Sequence, residues 1–477
     1  MTNTAHEDGV FEWGVADRLN ALETIMWRAE VDPALSSTVL ALEVLDCEPD
    51  WERFYAAHDW GSRIVPRFRE RIVDGPAGLG QPSWVQDPSF DLDYHVRRVR
   101  LPEGATMRDA LDRARDIAKV PFDRAKPPWQ AVLIEGLPDG EAVYALKMHH
   151  ATLDGMAGIQ LVAGLHSRQR GPSGPKQTPP LPAAGSTSVV RAVTDQAGRD
   201  VRGVVGAVAS VPGRLLRFGR PDKAARDLAR YVASLQRVLG DSGAAPSPLL
   251  ADRSTDWWFG ALDVEFAPLR AASKAAGASL NDAFLAALLG GFRRYHEEHD
   301  VAIEAMPFAM PISIRKEGDP AGGNAFAAAR LSGPVAEKDP VARMQAVGAA
   351  VRDVRSEPAL NGVGAMAPAL ARLPGPVIAQ LAGGLTKAND LQASNVPGLR
   401  EDAYFAGAKV TRFYGYAPLP GCAAMIVLIS HGDTCCVAVN LDPAAIKDPQ
   451  LFGRCLVEGF TEVLALVPDA PAPVWRG

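Results

Sequence analysis

The sequence predicts a mixed α/β protein of two halves. Three observations lead there. Short β-branched apolar runs alternate with stretches of helical spacing on both sides of residue 200. A Pro/Gly/Ser-rich segment, GPSGPKQTPPLPAAGS at 171–186, separates them. The chain is 477 residues long, too long for one ordinary domain, with 47% hydrophobic and 22% charged residues, a globular balance.

In the first half, residues 36–45 read as a buried strand and 51–58 as a helix. Residues 106–120 read as a second helix, opened by Thr106 with Asp109 three positions on, a capping-box pattern, and carrying Met107, Leu111 and Ala114 on one face. Two strands, 130–136 and 142–148, flank Pro138-Asp139-Gly140 and form a hairpin. The second strand runs into His149-His150. Asp154-Gly155 then opens a helix with Met156, Ile159, Val162 and Leu165 at helical spacing. The linker that follows cannot hold a core and is expected to be mobile.

Residues 191–237 carry ten Lys/Arg against four Asp in a chain of net charge −6, with Val201, Val204, Val205 and Val208 on one helical face. Two readings stand: a basic amphipathic helix lying on an anionic bilayer, or a helical pair packed on the domains with solvated arginines. Beyond it, Ser279-Leu280-Asn281-Asp282 opens a long helix with Leu280, Phe284, Leu288 and Phe292 in line. Gly290-Gly291 inside that helix points to close backbone packing. Strand-like runs follow at 307–314, 423–429 and 435–439. The division expected is 1–170, 171–254 (linker and basic helices) and 255–477.

Several function classes are excluded or disfavoured. The acidic balance and the lack of a motif argue against nucleic-acid binding. The opening MTNTAHEDGVFEWG has no basic-then-apolar signal pattern, and no apolar run approaches the ~18 residues of a membrane span, so a cytoplasmic protein is expected. Five cysteines without a CxxC pair read as reduced thiols. Cys435 and Cys436 would face opposite ways on a strand.

The sharpest chemical signal is His149-His150-Ala-Thr-Leu-Asp154-Gly155. A metal reading is available, since His and Asp are ligands, but it is weak: adjacent strand residues point to opposite faces and no second ligand cluster accompanies them. A neutral imidazole at a strand end, with a tight turn behind it, is instead suited to take a proton from an alcohol at neutral pH. Asp154 reads as an N-cap whose carboxylate also fixes the loop.

HHATLDG matches the HHxxxDG motif of the coenzyme A-dependent acyltransferase superfamily. The chain most closely resembles the bacterial wax ester synthase/acyl-CoA:diacylglycerol acyltransferase family. The supporting segments, in order, are Pro66-Arg67-Phe68-Arg69, Trp84, Phe90–Val96, Pro121–Arg124, Pro127-Pro128-Trp129, Asn281-Asp282, Pro311–Arg315, Gly323-Asn324 and Ser394-Asn395-Val396-Pro397-Gly398. The resemblance implies two chloramphenicol-acetyltransferase-like domains with an active-site tunnel at their interface.

It also implies roles. His150 is the general base, His149 supports the loop, and Asp154 is structural, pairing with Arg67, Arg69 or Arg315. Gly155 completes the motif. Asn281 is placed at the active centre as an amide donor to the oxyanion, with helix capping by Asn281-Asp282 as the competing role. Trp129, Asp282, Ser394 and Asn395 are expected near substrate, with Trp129 serving packing. Acyl-CoA enters as substrate and no cofactor or metal is implied. The acceptor is a fatty alcohol or a diacylglycerol, met at a membrane or lipid-droplet surface. The family's opening elements, PLW and a Gly-Pro after the late motif are altered here, at Arg18–Glu23, Pro127-Pro128-Trp129 and Gly398-Leu399. Those departures bear on acceptor choice. Two alternatives remain: a condensation-type or small-alcohol/amine acyltransferase of the same fold, and a non-catalytic lipid-binding protein.

Overall fold

The computed structural model describes residues 13–75, 81–171, 179–180, 243–313, 322–324, 326–357, 371–386 and 388–477. The first half contains α1 (Ala21–Ala29), β1 (Thr38–Leu45), α2 (Trp51–Ile64), β2 (Glu70–Val73), β3 (Ser83–Gln86), α3 (Leu92–His95), β4 (Val96–Arg100), α4 (Met107–Lys119), β5 (Trp129–Glu135), β6 (Ala142–His149) and α5 (Gly155–Leu165). The second contains β7 (Trp258–Glu265), α6 (Phe266–Ala275), α7 (Leu280–Glu297), β8 (Met306–Ser313), β9 (Phe326–Gly333), α8 (Pro340–Arg355) and α9 (Gly375–Thr386). It continues with β10 (Leu391–Pro397), β11 (Tyr404–Phe405), β12 (Ala408–Tyr416), β13 (Ala424–His431), β14 (Thr434–Leu441), α10 (Pro449–Leu464) and β15 (Val474–Trp475).

Local chemistry sets the helix starts. At α4 the Thr106 and Asp109 side chains bond each other's backbone amides, and Ala110, Leu111, Ala114 and Ala118 form the buried face. Ser279 and Asp282 do the same for α7. The β5–β6 connection turns through Asp139 and Gly140, both at positive φ. Helix α2 runs six residues beyond the 51–58 expected, because Gly61, Ser62 and Ile64 are also buried.

Two large sheets result. The first has order β11-β12-β1-β6-β5-β4, the second β15-β7-β14-β13-β10-β8-β9. The sheets do not follow the expected division at 255. Strand β12, late in the chain, pairs antiparallel with β1, from Leu40↔Tyr416 to Leu45↔Val410. The physical reason is burial: Phe413, Tyr414 and Tyr416 complete the core of the first half. No local pattern announces which sheet an apolar strand will join.

Two cores result: one joins the first sheet to one face of β7, β13 and β14, and the other covers the opposite face of the second sheet. Cys435 belongs to the second and Cys436 to the first, the alternation expected of a strand. Glycines bring α7 against α10: a Cβ on Gly459 would lie 2.3 Å from the Ala287 carbonyl oxygen, and one on Gly291 2.8 Å from Leu456 Cδ2. The basic segment 191–237 and the linker 171–186, apart from Gly171 and residues 179–180, lie outside the described residues. Among the described residues no single helix is long and apolar enough to cross a membrane.

Candidate active site

The two histidines part company where β6 ends. His149, the last strand residue, is fully buried. Its Nδ1 accepts the Ala151 amide at 2.9 Å, its Nε2 lies 3.2 Å from Glu30 Oε2, and Trp27 meets its ring edge-on at 5.0 Å between centroids. Burial pushes the Glu30 carboxyl up, but the His149 ring and the Ser37 amide outweigh it, so the group is held below its usual range. Glu30 Oε1 accepts the Ser37 amide at 2.7 Å, and the Ser37 carbonyl accepts the His150 amide at 2.7 Å. His149 and Glu30 therefore anchor the backbone from which His150 projects.

His150 turns the other way. Its Nδ1 sits 3.0 Å from Asn324 Oδ1, and Asn324 Nδ2 donates to the His150 carbonyl at 2.7 Å. The Phe326 ring lies 5.8 Å from the imidazole, centroid to centroid. Burial lowers the His150 pKa below its ordinary value, which favours the neutral ring at physiological pH. A neutral, half-buried imidazole is a competent proton acceptor that substrate can still reach.

Asp154 caps α5, accepting the Ala157 amide at 2.9 Å. The loop it closes is stitched to the second half: the Asp154 amide donates to the Gly323 carbonyl at 3.2 Å, and the Gly323 amide to the Thr152 carbonyl at 3.3 Å. Two of the three arginines proposed for Asp154 are committed elsewhere. Arg67 binds Glu70 and the Gly14 and Ala16 carbonyls, and Arg69 binds Asp59 and Ser62. Arg315 lies outside the described residues. Gly155 has a steric role: a Cβ there would sit 2.9 Å from Val396 Cγ2 on β10.

Asn324 is the residue that sequence reasoning missed. Gly323-Asn324 was legible only as a family segment. The loop is held from the N-terminal side: Glu23 Oε1 accepts the Asn324 amide at 2.8 Å, and Asn20 Nδ2 donates to the Asn324 carbonyl at 3.0 Å. Asn20 and Glu23 also form the capping box of α1. Gly322 and Gly323 both adopt positive φ, and a Cβ on Gly322 would lie 2.6 Å from the Gly14 nitrogen. The adjacent glycines were the available signal of a tight loop.

The other expected site residues lie on α7, β5 and β10. Asn281 lies in the first turn of α7 and is not among the hydrogen-bond partners of His150. Its neighbour Asp282 is buried and closes the capping box with Ser279. Trp129 is directly opposite Met148 and so faces away from His149. Its Nε1 donates to the Phe68 carbonyl at 2.7 Å, its ring stacks on His95, and it lines a cavity with His58, Tyr144, Leu161 and Phe405. On β10, Ser394 shares a face with Val396, the residue that meets Gly155, whereas Asn395 shares the opposite face with Leu391 and Ala393 of the second core. Among the described residues no group of three His, Cys, Asp or Glu side chains is placed to hold a metal ion.

Residues 14–284 match the wax ester synthase/diacylglycerol acyltransferase catalytic domain, and 322–463 match the C-terminal domain of that family. A Mycobacterium tuberculosis chain provisionally named a diacylglycerol O-acyltransferase is 42% identical over 466 residues, covering 96% of this chain and 94% of its own. A second from that organism, with the same provisional name, is 28% identical over 463 residues, covering 90% and 93%. The wax ester synthase/diacylglycerol acyltransferase of Marinobacter aquaeolei VT8 has a similar fold, with TM-score 0.64 at 19% identity, covering 94% of this chain and 98% of that one. The first condensation domain of the CDA synthetase shares the architecture at TM-score 0.58 and 16% identity, covering 96% and 98%. The match to the catalytic-domain profile over more than half the chain and the 42% identity together establish that this protein belongs to the wax ester synthase/diacylglycerol acyltransferase family and is an acyltransferase.

Proposed function

We propose that the protein transfers a long-chain acyl group from acyl-CoA to the hydroxyl of a fatty alcohol or diacylglycerol, with His150 as the general base. The observation that carries this reading is a half-buried imidazole, its pKa lowered by desolvation, fixed where the HHATLDG loop of the first half meets residues 322–324 of the second. The ring nitrogen not engaged by Asn324 takes the hydroxyl proton as the alcohol oxygen attacks the thioester carbonyl. The tetrahedral intermediate then collapses, the C–S bond breaks, and the imidazolium returns its proton to the departing coenzyme A thiolate. Ester and free coenzyme A are the products, with no acyl-enzyme. Exclusion of water once substrate is bound would protect the thioester, and the position of Ser394 on the β10 face that carries Val396 supports a role for it in lining the substrate path. The basic stretch 191–237 supports approach to an anionic lipid surface, where both acceptors dissolve.

The test uses purified full-length chain, palmitoyl-CoA, and hexadecanol or dioleoylglycerol, following free coenzyme A and ester. Wild type forms ester, and His150→Ala loses about 10²–10⁴-fold in rate with its unfolding midpoint retained. Ester formation at wild-type rate in that variant would remove His150 from the chemistry. Well-folded wild type that binds lipid but turns over neither acceptor would favour a lipid-binding protein. The preferred alcohol separates wax ester from triacylglycerol synthesis.

A further inference from the structure

We infer that Asn324 is a positioning residue that sets the tautomer of His150, and so determines which ring nitrogen receives the proton. The inference rests on the reading of His150 as base, and it names how the second half of the chain takes part in that chemistry.

The argument is one of donors and acceptors. The His150 carbonyl can only accept, so the Asn324 atom 2.7 Å from it is the amide nitrogen, Nδ2. That fixes the orientation of the amide and leaves its carbonyl oxygen, Oδ1, 3.0 Å from His150 Nδ1. An amide oxygen carries no proton, so Nδ1 must carry the hydrogen and donate it. In a neutral ring with Nδ1 protonated, the lone pair is on Nε2. A single side chain thus grips the backbone oxygen and the ring nitrogen of the same residue; the His150 carbonyl itself also bears on the ring and acts in the same sense as Asn324.

The clamp is rigid because Asn324 is itself held at both backbone polar groups, by Glu23 on its amide and Asn20 on its carbonyl. A partner across 174 residues of sequence is thereby presented with little freedom. The clamp is also uncharged. Asp154 and the ring of His149, both on the HHATLDG loop, are the titratable groups that bear on His150 from its own segment. From the facing loop comes a neutral amide, with the Glu23 carboxyl, its own pKa raised by burial, bearing on both the backbone and the side chain of Asn324. A carboxylate in place of that amide would favour the imidazolium and occupy the base with a proton before substrate arrives.

The deciding measurement does not depend on turnover. Full-length protein labelled with ¹⁵N-histidine is recorded by two-bond ¹H–¹⁵N correlation, with the His150 signals identified by their loss in His150→Gln. The expected result is a single Nδ1-protonated tautomer in wild type and a shift toward the Nε2-protonated form in Asn324→Ala. A wild-type ring protonated at Nε2, or an unchanged His150 pattern in folded Asn324→Ala, would overturn the inference. In the assay, Asn324→Ala loses about 10–10³-fold in kcat with acyl-CoA KM within about threefold, by analogy with other enzymes in which a tautomer-fixing partner is removed. Asn324→Asp, which keeps the acceptor and the size, preserves the Nδ1–H form but moves the acid limb of the kcat/KM profile up by about 1 pH unit or more. If Asn324→Ala does not fold, the wild-type spectrum and the Asn324→Asp profile decide the matter, and an acid limb that stays in place counts against the clamp. Full activity in His150→Ala would defeat the base reading alone, since the tautomer is read without substrate.

Discussion

Gly155 and Val396 meet across the junction of the two halves, so closely that a methyl group at 155 would lie 2.9 Å from Val396 Cγ2. The contact joins the first residue of the helix behind His150 to a strand of the second sheet. Gly155 lacks the positive φ that would itself demand glycine, so the constraint is steric.

Gly155→Ala is expected to destabilise the protein by about 1–3 kcal/mol through overpacking, offset in part by the better helix propensity of alanine. Val396→Ala makes room for the added methyl, so the double variant should regain most of the loss. Urea unfolding of the four proteins in a double-mutant cycle measures the coupling. Additive losses would mean that the two side chains do not compete for this space.

Glu30→Gln is expected to cost about 1–3 kcal/mol, because an amide nitrogen or a neutral oxygen then meets the buried His149 ring where a carboxylate stood. Ester formation should fall as well, since Glu30 steers Ser37 and Ser37 holds the His150 amide. The sign of the pH effect follows from the lowered Glu30 pKa. The contribution is present above the ordinary value of 4.5 and is lost as pH falls through the lower folded value. Melting temperatures of wild type and variant should therefore converge at strongly acid pH and differ most at neutral pH.

Burial lowers the His58 pKa from 6.5 to about 4, its ring lying between the Phe54 carbonyl and the Tyr144 hydroxyl. Between those values the unfolded chain binds a proton that the native chain does not. Stability therefore falls as pH drops through this window, by about 3 kcal/mol from this residue alone. His58→Gln should show a stability–pH slope shallower by roughly one proton between pH 6.5 and 4. Parallel slopes in the two proteins would show that the ring is not held neutral.

The five cysteines are all free thiols. Burial pushes Cys422, Cys435 and Cys436 up to about 12 and Cys455 to about 11, while Cys47 alone is half-buried. Ellman's reagent at pH 8 should modify no more than one thiol of the native chain and all five after denaturation. Rapid native labelling of several thiols would contradict the burial of β14, of α10 and of Cys422 ahead of β13.

The local part of the design is legible in the order of residues. Capping by Thr106 with Asp109, Ser279 with Asp282, and Asp154 before α5 acts over three or four positions. The split of Cys435 and Cys436 between two cores follows from the two-residue period of a strand. Gly290-Gly291 forecast close backbone packing within α7, and HHATLDG with its companion segments disclosed the family. These features depend on neighbours along the chain, so the sequence by itself determines them. What only the tertiary structure decided depends on partners hundreds of residues away. Residues 408–416 complete the first sheet rather than the second, because their aromatic side chains find room in the first core. Asn281 lies in the first turn of α7, and the residue hydrogen-bonded to His150 is Asn324, which comes from another part of the chain. A hydrogen-bond partner is chosen by position in space. The positions of Asn20, Glu23, Asn324 and His150 are set by the packing of both halves, whose apolar surfaces must all be buried at once before any one polar side chain has a defined neighbour.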